Sequence, residues 1–260
     1  MEALTTGTSL SLREVGLLGK KGVRRVCDLD VEGTPCEPER RPSASPIISF
    51  NKSIDALLNG GARAGSVLEI VGAPGTGKTQ LCLQFAVNAT IPRELGGREG
   101  RVAFVDVDAS FCAERAHQTA SAMVRHVRKM RGSLTTTEEV LRRIRVFAPA
   151  DDVEVLAALE LIDDDADLVV VDSLAAPFRA NNRPRLIARA ALLLARHAHK
   201  GAAVVVTNHI SWGRPALGES WSHAADTRVL LERNNVATIL KSPTCPRKTA
   251  TFRIDDRGFR

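Results

Sequence analysis

Eight consecutive residues of the sequence fit the spacing GxxxxGK[ST]: Gly72, Ala73, Pro74, Gly75, Thr76, Gly77, Lys78 and Thr79. Glycines at these positions let successive backbone N–H groups turn toward a phosphate, and a helix that starts here adds a favourable dipole. In such a loop the lysine neutralises the β- and γ-phosphates of a nucleotide, and the hydroxyl binds Mg²⁺. The segment predicts a nucleoside triphosphate site, whereas out of context it would be only a glycine-rich turn with a surface lysine.

A carboxylate ends an apolar run further along the chain, where Asp172 directly follows Leu168–Val171. A nucleotide site with Mg²⁺ also needs a carboxylate at the end of a neighbouring strand. An aspartate at a strand end commonly just caps a turn, so Asp172 by itself is a weak signal. Together with the phosphate loop upstream it predicts that Thr79 and Asp172 hold Mg²⁺, directly or through water.

The elements that must position these residues alternate regularly from Ile47 onward. Short β-branched runs predict strands at Val67–Val71, Val102–Val107, Ile144–Phe147, Leu168–Val171 and Ala203–Val206. Helical periodicity lies between them, near 79–90, 112–130, 138–143, 152–162 and 185–199. This alternation is typical of a parallel sheet with crossover helices. The phosphate loop follows the first strand and opens the first helix, which is the context of a functional loop.

The two ends of the chain differ from this pattern. Beyond residue 225, the segments TRVLLER, VATILK and TATFRI predict antiparallel hairpin strands at one edge of the sheet. Residues 1–45 contain a short apolar-periodic stretch and then a segment in which proline recurs. We predict a short helical remnant and linker over 1–45 and an α/β P-loop ATPase core over 46–260.

Composition excludes several classes of protein. The 260 residues are 44% hydrophobic, which is too apolar for a disordered chain, and no apolar run is long enough for a membrane helix. The five cysteines form no CxxC pair, so neither a disulfide framework nor a zinc site is predicted. The net charge of +6 permits nucleic-acid binding without requiring it.

The distribution of charge is more informative than its sum. Residues 151–172 hold nine acidic residues and no basic one, and residues 179–200 hold six basic residues and no acidic one. Because no acid lies within the second segment, we expect its positive field to be uncancelled locally.

Several longer segments carry a resemblance to a known family. The segment ISFNKSIDALLNGGARAGSVLEI leads into EIVGAPGTGKTQLCLQFAV, and FVDVDASFCAER, VVVDSLAAPFR, VVVTNHI and PALGESWSHAADTRVLL follow in order. Together they resemble the RecA and RadA recombinase superfamily over about residues 46–260. PFR and PALGESWSHAA are most similar to the eukaryotic recombinase paralogues, which are mediators of homologous recombination. The resemblance implies a RecA-like fold, ATP with Mg²⁺ as cofactors and action in the nucleus.

Carried over position by position, the resemblance assigns three more site residues. Arg115 is expected near the adenine, and Asp108 is expected to hold the attacking water, at a position where the recombinase has glutamate. His209 takes the place of the glutamine that senses the γ-phosphate in a TNQ-type switch. Because a shorter carboxylate displaces the water, and displacements of about 1 Å are costly in rate, we expect slow hydrolysis that involves Lys78, Asp108 and His209.

The family's two DNA-lining loops correspond to residues 175–185 and 211–222, which are both short. The first offers Arg179, Arg183 and Arg185 as phosphate contacts. The second offers Arg214, with Trp212 and Trp221 as stacking surfaces. The alternatives are that the arginines are merely solvated and that Trp221 belongs to the core or to a subunit contact.

The resemblance is weakest before the core. Forty-five residues hold only a remnant of the family's amino-terminal domain, and the Phe-x-x-Ala anchor that links recombinase protomers is not evident. These departures favour a mediator that acts on single-stranded DNA with recombinase or paralogue subunits, without a membrane. The alternatives are an autonomous strand-exchange recombinase and a non-catalytic scaffold whose ATP cements a subunit interface.

Overall fold

The computed structural model describes residues 45–131, 135–181, 183–211 and 214–260. The helical remnant and linker predicted for 1–45 lie outside the described residues, except for Ser45. Trp212, one of the two proposed stacking residues, also lies outside them.

Twelve strands occur within these ranges: β1 Ser66–Gly72, β2 Val102–Asp106, β3 Ile144–Phe147, β4 Leu168–Asp172, β5 Ala203–Asn208, β6 Ile210–Ser211, β7 Arg214–Pro215, β8 Thr227–Leu231, β9 Val236–Lys241, β10 Thr249–Thr251, β11 Ile254–Asp255 and β12 Gly258–Phe259. Eight of them form one sheet in the order β10-β9-β8-β1-β5-β4-β2-β3. The strands from β8 to β3 are parallel, and β9 and β10 are added antiparallel. Strands β6 and β7 pair as one small hairpin, and β11 and β12 pair as another.

Eight α-helices connect the described strands: α1 Lys52–Leu57, α2 Lys78–Ala89, α3 Ala113–Arg131, α4 Thr137–Arg142, α5 Asp152–Leu161, α6 Ala175–Asn181, α7 Pro184–His199 and α8 Glu219–Ser222. Alternate residues of each central strand face opposite sides of the sheet, and both sides are covered. Leu68 and Val170 belong to the core beneath α2, whereas Val67 and Val169 belong to the core beneath α5 and α7. Burial on both faces explains why these strands are continuous apolar runs.

The predicted α/β fold with a central parallel sheet, crossover helices and edge hairpins is confirmed, with three differences in detail. The segment 175–185, expected to be a loop, contains α6 and the first turn of α7, which begins at Pro184. Strand β8, expected to be an edge hairpin strand, pairs in parallel with β1 and extends the core. The segment TATFRI is divided, because β10 ends at Thr251 and Ile254 begins β11.

The acidic and basic segments pack against each other through α5 and α7. Arg189 and Arg196 both bond to Glu160, at 2.9 and 3.4 Å, and Lys200 pairs with Asp164. At the amino-terminal end of α7, the Arg183 guanidinium lies 3.5 Å from the carboxylate of Asp152. The expectation of an uncancelled field over residues 179–200 is therefore wrong for four of the six cations, which pair with carboxylates of α5 or of the loop that follows it.

No helix within the described ranges combines the length and the apolar character that a membrane span requires.

The imidazole of His197 is buried on α7 and faces the carbonyl oxygen of Leu159 at 2.9 Å, to which it must donate. Burial lowers the pKa of His197 below its ordinary value of 6.5. The unfolded chain therefore binds a proton more readily than the folded protein does. Stability from this residue is complete above pH 6.5 and is lost as the pH falls toward the lowered pKa.

The unfolding free energy of the wild type should fall as the pH is lowered from about 7 to 5.5. We predict that this fall is smaller in His197→Gln, by at most about 1.4 kcal/mol per pH unit. Urea unfolding at a series of pH values measures this slope. His199→Gln, on the exposed face of the same helix, is the matched control and should keep the wild-type slope. An unchanged slope in His197→Gln would contradict the assignment.

Candidate functional site

The candidate site lies where the parallel strands end. Strand β1 leads into the phosphate loop, and the register pairs Asp106 at the end of β2 with Asp172 at the end of β4. Thr207, near the end of β5, pairs with Ile70 of β1. Because carboxyl ends of parallel strands share one edge of the sheet, residues far apart in sequence meet here.

The phosphate loop needs glycine at two positions with left-handed backbone conformation, Gly75 with φ 80° and Gly77 with φ 94°. A Cβ on Gly77 would lie 2.4 Å from Cδ1 of Ile254, so a larger residue would require the Ile254 side chain to move. A Cβ on Gly75 would meet no described atom within 4 Å. The loop is therefore closely packed on one side and open on the other, as a phosphate-binding loop requires.

Lys78 begins α2 and is 7% exposed. Its ammonium donates to the carbonyl oxygens of Gly72 at 2.9 Å and Ala73 at 3.0 Å, so it lies across the loop. Burial lowers the pKa of Lys78, and the nearby carboxylates of Asp172 and Asp108 counteract this shift. An added phosphate would oppose the shift further, because anions favour the charged ammonium.

Asp172 is 2% exposed and accepts hydrogen bonds from several hydroxyl groups. Thr79 Oγ1 donates to Asp172 Oδ2 at 2.6 Å, and Thr207 donates to Oδ1. Ser110 Oγ lies 3.4 Å from Oδ2. Burial raises the pKa of Asp172, and the bonds from Thr207 and Thr79 oppose this rise. Carboxylate and hydroxyl oxygens are ligands that Mg²⁺ prefers, so the residues present fit a nucleotide with Mg²⁺.

The loop after β2 is held by Asp106, which accepts the backbone N–H groups of Ser110 at 2.9 Å and Phe111 at 3.1 Å. This loop presents Asp108 to solvent beside His209, whose Nε2 lies 3.8 Å from Asp108 Oδ2. The same nitrogen lies 3.5 Å from the hydroxyl of Ser173. Asp108 and His209, the two site residues for which the resemblance implies a different residue in the recombinase, are thus neighbours in space.

The guanidinium of Arg115, on α3, joins three parts of the structure. It donates to the side-chain oxygen of Gln80 on α2 at 2.8 Å and to that of Gln118 at 2.8 Å. It also donates to the carbonyl oxygen of Asp255 on β11 at 3.0 Å. Arg115 therefore lies beside the phosphate loop, between α2 and the β11–β12 hairpin.

The residues proposed to contact DNA belong to different elements of the structure. Arg179 lies on α6, and Arg214 lies on β7 of the small hairpin. Arg183 is held by Asp152, whereas Arg185 is exposed on the first turn of α7.

Trp221 is 0% exposed, and its indole Nε1 donates to a carboxylate oxygen of Glu69 at 2.7 Å. The expectation that Trp221 offers a stacking surface is wrong, because the ring lies in the core.

A family model described as Rad51 matches residues 40–260. The chain belongs to the Rad51 family. It is 34% identical over 250 residues to "DNA repair protein RAD51 homolog 3" of Cricetulus griseus, covering 82% of this chain and 68% of that relative. It is 30% identical over 253 residues to the protein of the same name from Dictyostelium discoideum, covering 85% and 66%. It is also 30% identical over 242 residues to "DNA repair and recombination protein RadA" of Aeropyrum pernix, covering 82% and 72%.

These relatives are named for DNA repair and recombination, and the recombinase resemblance read from the sequence is confirmed. The chain spans about two thirds of the length of the first two relatives.

One part of this Rad51-family site was missed by sequence reasoning. Glu69 is buried within β1 and accepts hydrogen bonds from Asn208 at 2.7 Å, from Trp221 and from Arg228. It thereby connects the strand before the phosphate loop to the end of β5, to α8 and to β8. The signal was a carboxylate inside the apolar run VLEIV, since buried carboxylates require partners.

We predict that Lys78→Ala weakens ATP binding by about a hundredfold or more, because two or more charge-assisted contacts to phosphate are lost. Isothermal titration calorimetry measures the affinity. Lys248→Ala, which removes an exposed lysine from another region, should bind ATP as the wild type does. Equal affinity in Lys78→Ala and wild type would contradict the nucleotide site.

Proposed function

We propose that this Rad51-family chain is an ATP-binding mediator of homologous recombination that acts on single-stranded DNA with recombinase or paralogue subunits, in the nucleus. The observation that carries the proposal is the 2.6 Å contact between Thr79 and the buried Asp172 beside the phosphate loop. Relatives named for DNA repair and recombination support the biological setting.

In the proposed site, different residues would bind different parts of the nucleoside triphosphate. The backbone N–H groups of Gly75, Gly77 and their neighbours would face the phosphates, and Lys78 would exchange its carbonyl partners for phosphate oxygens. Thr79 and Asp172 would hold Mg²⁺, which when bound neutralises charge on the phosphates. Arg115 would contact the adenine end of the nucleotide from its place beside β11.

Hydrolysis is proposed to be slow because Asp108 is one methylene shorter than glutamate. The water that it orients would be displaced from the phosphate, which lowers the rate. His209, 3.8 Å from Asp108, would reach the same region and is proposed to take the role of the γ-phosphate sensor. Its ring is stiffer than an amide and offers different hydrogen-bond geometry, so coupling to the following β6–β7 hairpin would be weaker.

We predict that Asp108→Glu raises the ATPase rate by about tenfold or more, because the longer side chain returns the carboxylate to the water. Steady-state phosphate release measures this rate. The double variant Asp108→Glu with His209→Gln should be at least as fast as the single variant, since it restores both recombinase residues. Asp108→Asn should be slower than wild type.

A slower Asp108→Glu variant would show that the Asp108 and His209 pair has its own geometry and that Asp108 is not a shortened base. Equal ATP affinity in all variants, measured in parallel, would assign the change to catalysis rather than to binding.

Single-stranded DNA is proposed to contact the surface formed by α6 and the start of α7. Arg185 is exposed there, and no ion pair to it is found within the described residues. Arg183 would have to exchange Asp152 for a phosphate, so its contribution should be smaller than that of Arg185. Each cation that neutralises a phosphate releases a counterion, which makes binding dependent on salt but independent of sequence.

We predict that replacing Arg179, Arg183 and Arg185 by glutamine weakens binding of every single-stranded sequence tested. It should also reduce the slope of log affinity against log salt by between about 0.7 and 2. Fluorescence anisotropy at several salt concentrations measures both quantities. Arg185→Gln alone should account for more of the change than Arg183→Gln alone.

The control for this experiment removes three exposed arginines elsewhere: Arg93, Arg128 and Arg233. Its slope should stay close to wild type. If affinity falls in the triple variant without a change in slope, the segment has a structural role and the DNA surface lies elsewhere.

The ion pairs between α5 and α7 favour one second candidate, a scaffold in which bound ATP only stabilises a subunit interface. Charge on α7 would then serve the packing of these helices and not DNA. A scaffold would bind ATP normally but show no difference between the two triple variants in DNA affinity or salt slope.

A further inference from the structure

A cavity with a volume of 520 Å³ lies away from the nucleotide site, between the start of the described chain, α3 and the carboxyl-terminal residues. Six basic side chains and one carboxylate line it: Lys52, Arg125, His126, Lys129, Arg257, Arg260 and Asp55. The floor includes Phe50, Ala122 and Ile48, of which Ile48 is 39% exposed. Arg125 is ten residues beyond Arg115 on α3, about 15 Å along the helix, so the two sites are separate.

At least half of the basic side chains around this cavity have no carboxylate or hydrogen-bond partner among the described residues. Within the described residues, no hydrogen bond or ion pair holds the side chains of Lys52, Arg125 or Lys129. Asp55, the one carboxylate of the lining, accepts the backbone N–H of Ser49 at 2.6 Å and so fixes the turn before α1. Two of the lining cations do have partners: Arg257 pairs with Asp255 at 2.8 Å, and the Arg260 guanidinium donates to the carbonyl oxygen of Arg257 at 3.0 Å.

Helix electrostatics do not account for this cluster. Cations in the last turn of a helix interact favourably with its dipole, which would explain Lys129 on α3 but not Arg125, six residues before the end of that helix. It would not explain why Lys52, from α1, and Arg260, at the end of the described chain, face the same cavity. Convergence of cations from three elements on an apolar floor is typical of a binding site with a few placed polar groups.

Phe50, which lines this cavity, has a strained backbone conformation. Its φ is 64°, in the left-handed region that bulky residues rarely adopt. Asn51 caps α1 by accepting the N–H of Ile54, and Asp55 holds Ser49, so the turn fixes the residue between them. The ring lies 5.4 Å from His126 in an edge contact, and the Arg260 guanidinium lies over it at 5.8 Å from the centroid. Such outliers occur where surrounding structure imposes them, often at ligand sites.

We propose that this cavity binds an acidic peptide segment of a partner protein, with one aliphatic side chain against Phe50 and Ile48 and carboxylates on the surrounding cations. The floor favours a peptide over single-stranded nucleic acid. Nucleic acid would require an aromatic face for a base to stack on, and Arg260 already covers a face of Phe50. The proposal goes beyond the nucleotide and DNA proposals and does not depend on either.

The test uses the full chain and a fluorescein-labelled heptapeptide in which one leucine is flanked on each side by three acidic residues. Fluorescence anisotropy should show saturable binding with a dissociation constant below about 1 mM, which is weak but measurable. Arg125→Ala with Lys129→Ala should weaken binding by about tenfold or more, because two charge-assisted contacts are lost. Serine in place of the leucine of the probe should weaken it as well.

The matched control is Arg63→Ala with Arg128→Ala, which removes the same charge from positions outside the cavity, one of them on α3. It should weaken binding of the probe clearly less than the cavity double variant does, since neither Arg63 nor Arg128 lines the cavity and exposed charges are partly screened by salt. Thermal unfolding of both double variants establishes that they remain folded, as expected for exposed side chains.

Three results would overturn the proposal. No saturation by the wild type up to several millimolar, well above the dissociation constant of about 1 mM expected at most, would contradict the existence of the site. Equal losses of affinity in the cavity and control variants would show that the probe binds only by general charge attraction. Competition by an oligothymidylate at the cavity, lost in the Arg125 and Lys129 variant, would assign the surface to nucleic acid instead.

Discussion

The buried carboxylate of Asp172 is the constraint on which the nucleotide site depends. A carboxylate removed from water is costly unless hydrogen bonds and cations surround it. Here Thr79 from the phosphate loop and Thr207 from β5 both donate to it, and Lys78 lies close enough to influence its pKa. These contacts fix the loop relative to the strand ends and leave an oxygen-rich site next to an ammonium group.

A second buried carboxylate, Glu69, lies within β1, the strand that leads into the phosphate loop. Glu69 accepts hydrogen bonds from Asn208, Trp221 and Arg228. The strand before the phosphate loop is therefore held through Glu69, and the helix after the loop is held by the bond from Thr79 to Asp172. The β11–β12 hairpin then links the nucleotide site to the basic cavity. Ile254 packs against Gly77, the carbonyl of Asp255 accepts Arg115, and Arg257 and Arg260 line the cavity. One short hairpin therefore contacts both candidate sites.

Local patterns in the sequence were enough to predict the core strands, the crossover helices and the phosphate loop, because buried strands and amphipathic helices have their own periodicity. Features that depend on distant partners were not predictable. Trp221 is buried and bonds to Glu69, 152 residues away in sequence, and Arg189 and Arg196 of α7 pair with Glu160 on a helix that precedes α7. The helix α6, with the sequence AAPFRAN, was not predicted, because the recombinase resemblance implied a loop in this segment.

The central claim is that Thr79 and Asp172 form a Mg²⁺ site for a bound triphosphate. The most direct test is the Mg²⁺ dependence of ATP affinity, measured by calorimetry for wild type, Thr79→Ser and Thr79→Val. The account predicts that Mg²⁺ strengthens ATP binding in wild type and Thr79→Ser, and that this gain is lost in Thr79→Val, which keeps the shape but lacks the hydroxyl. The same Mg²⁺ dependence in all three proteins would contradict it.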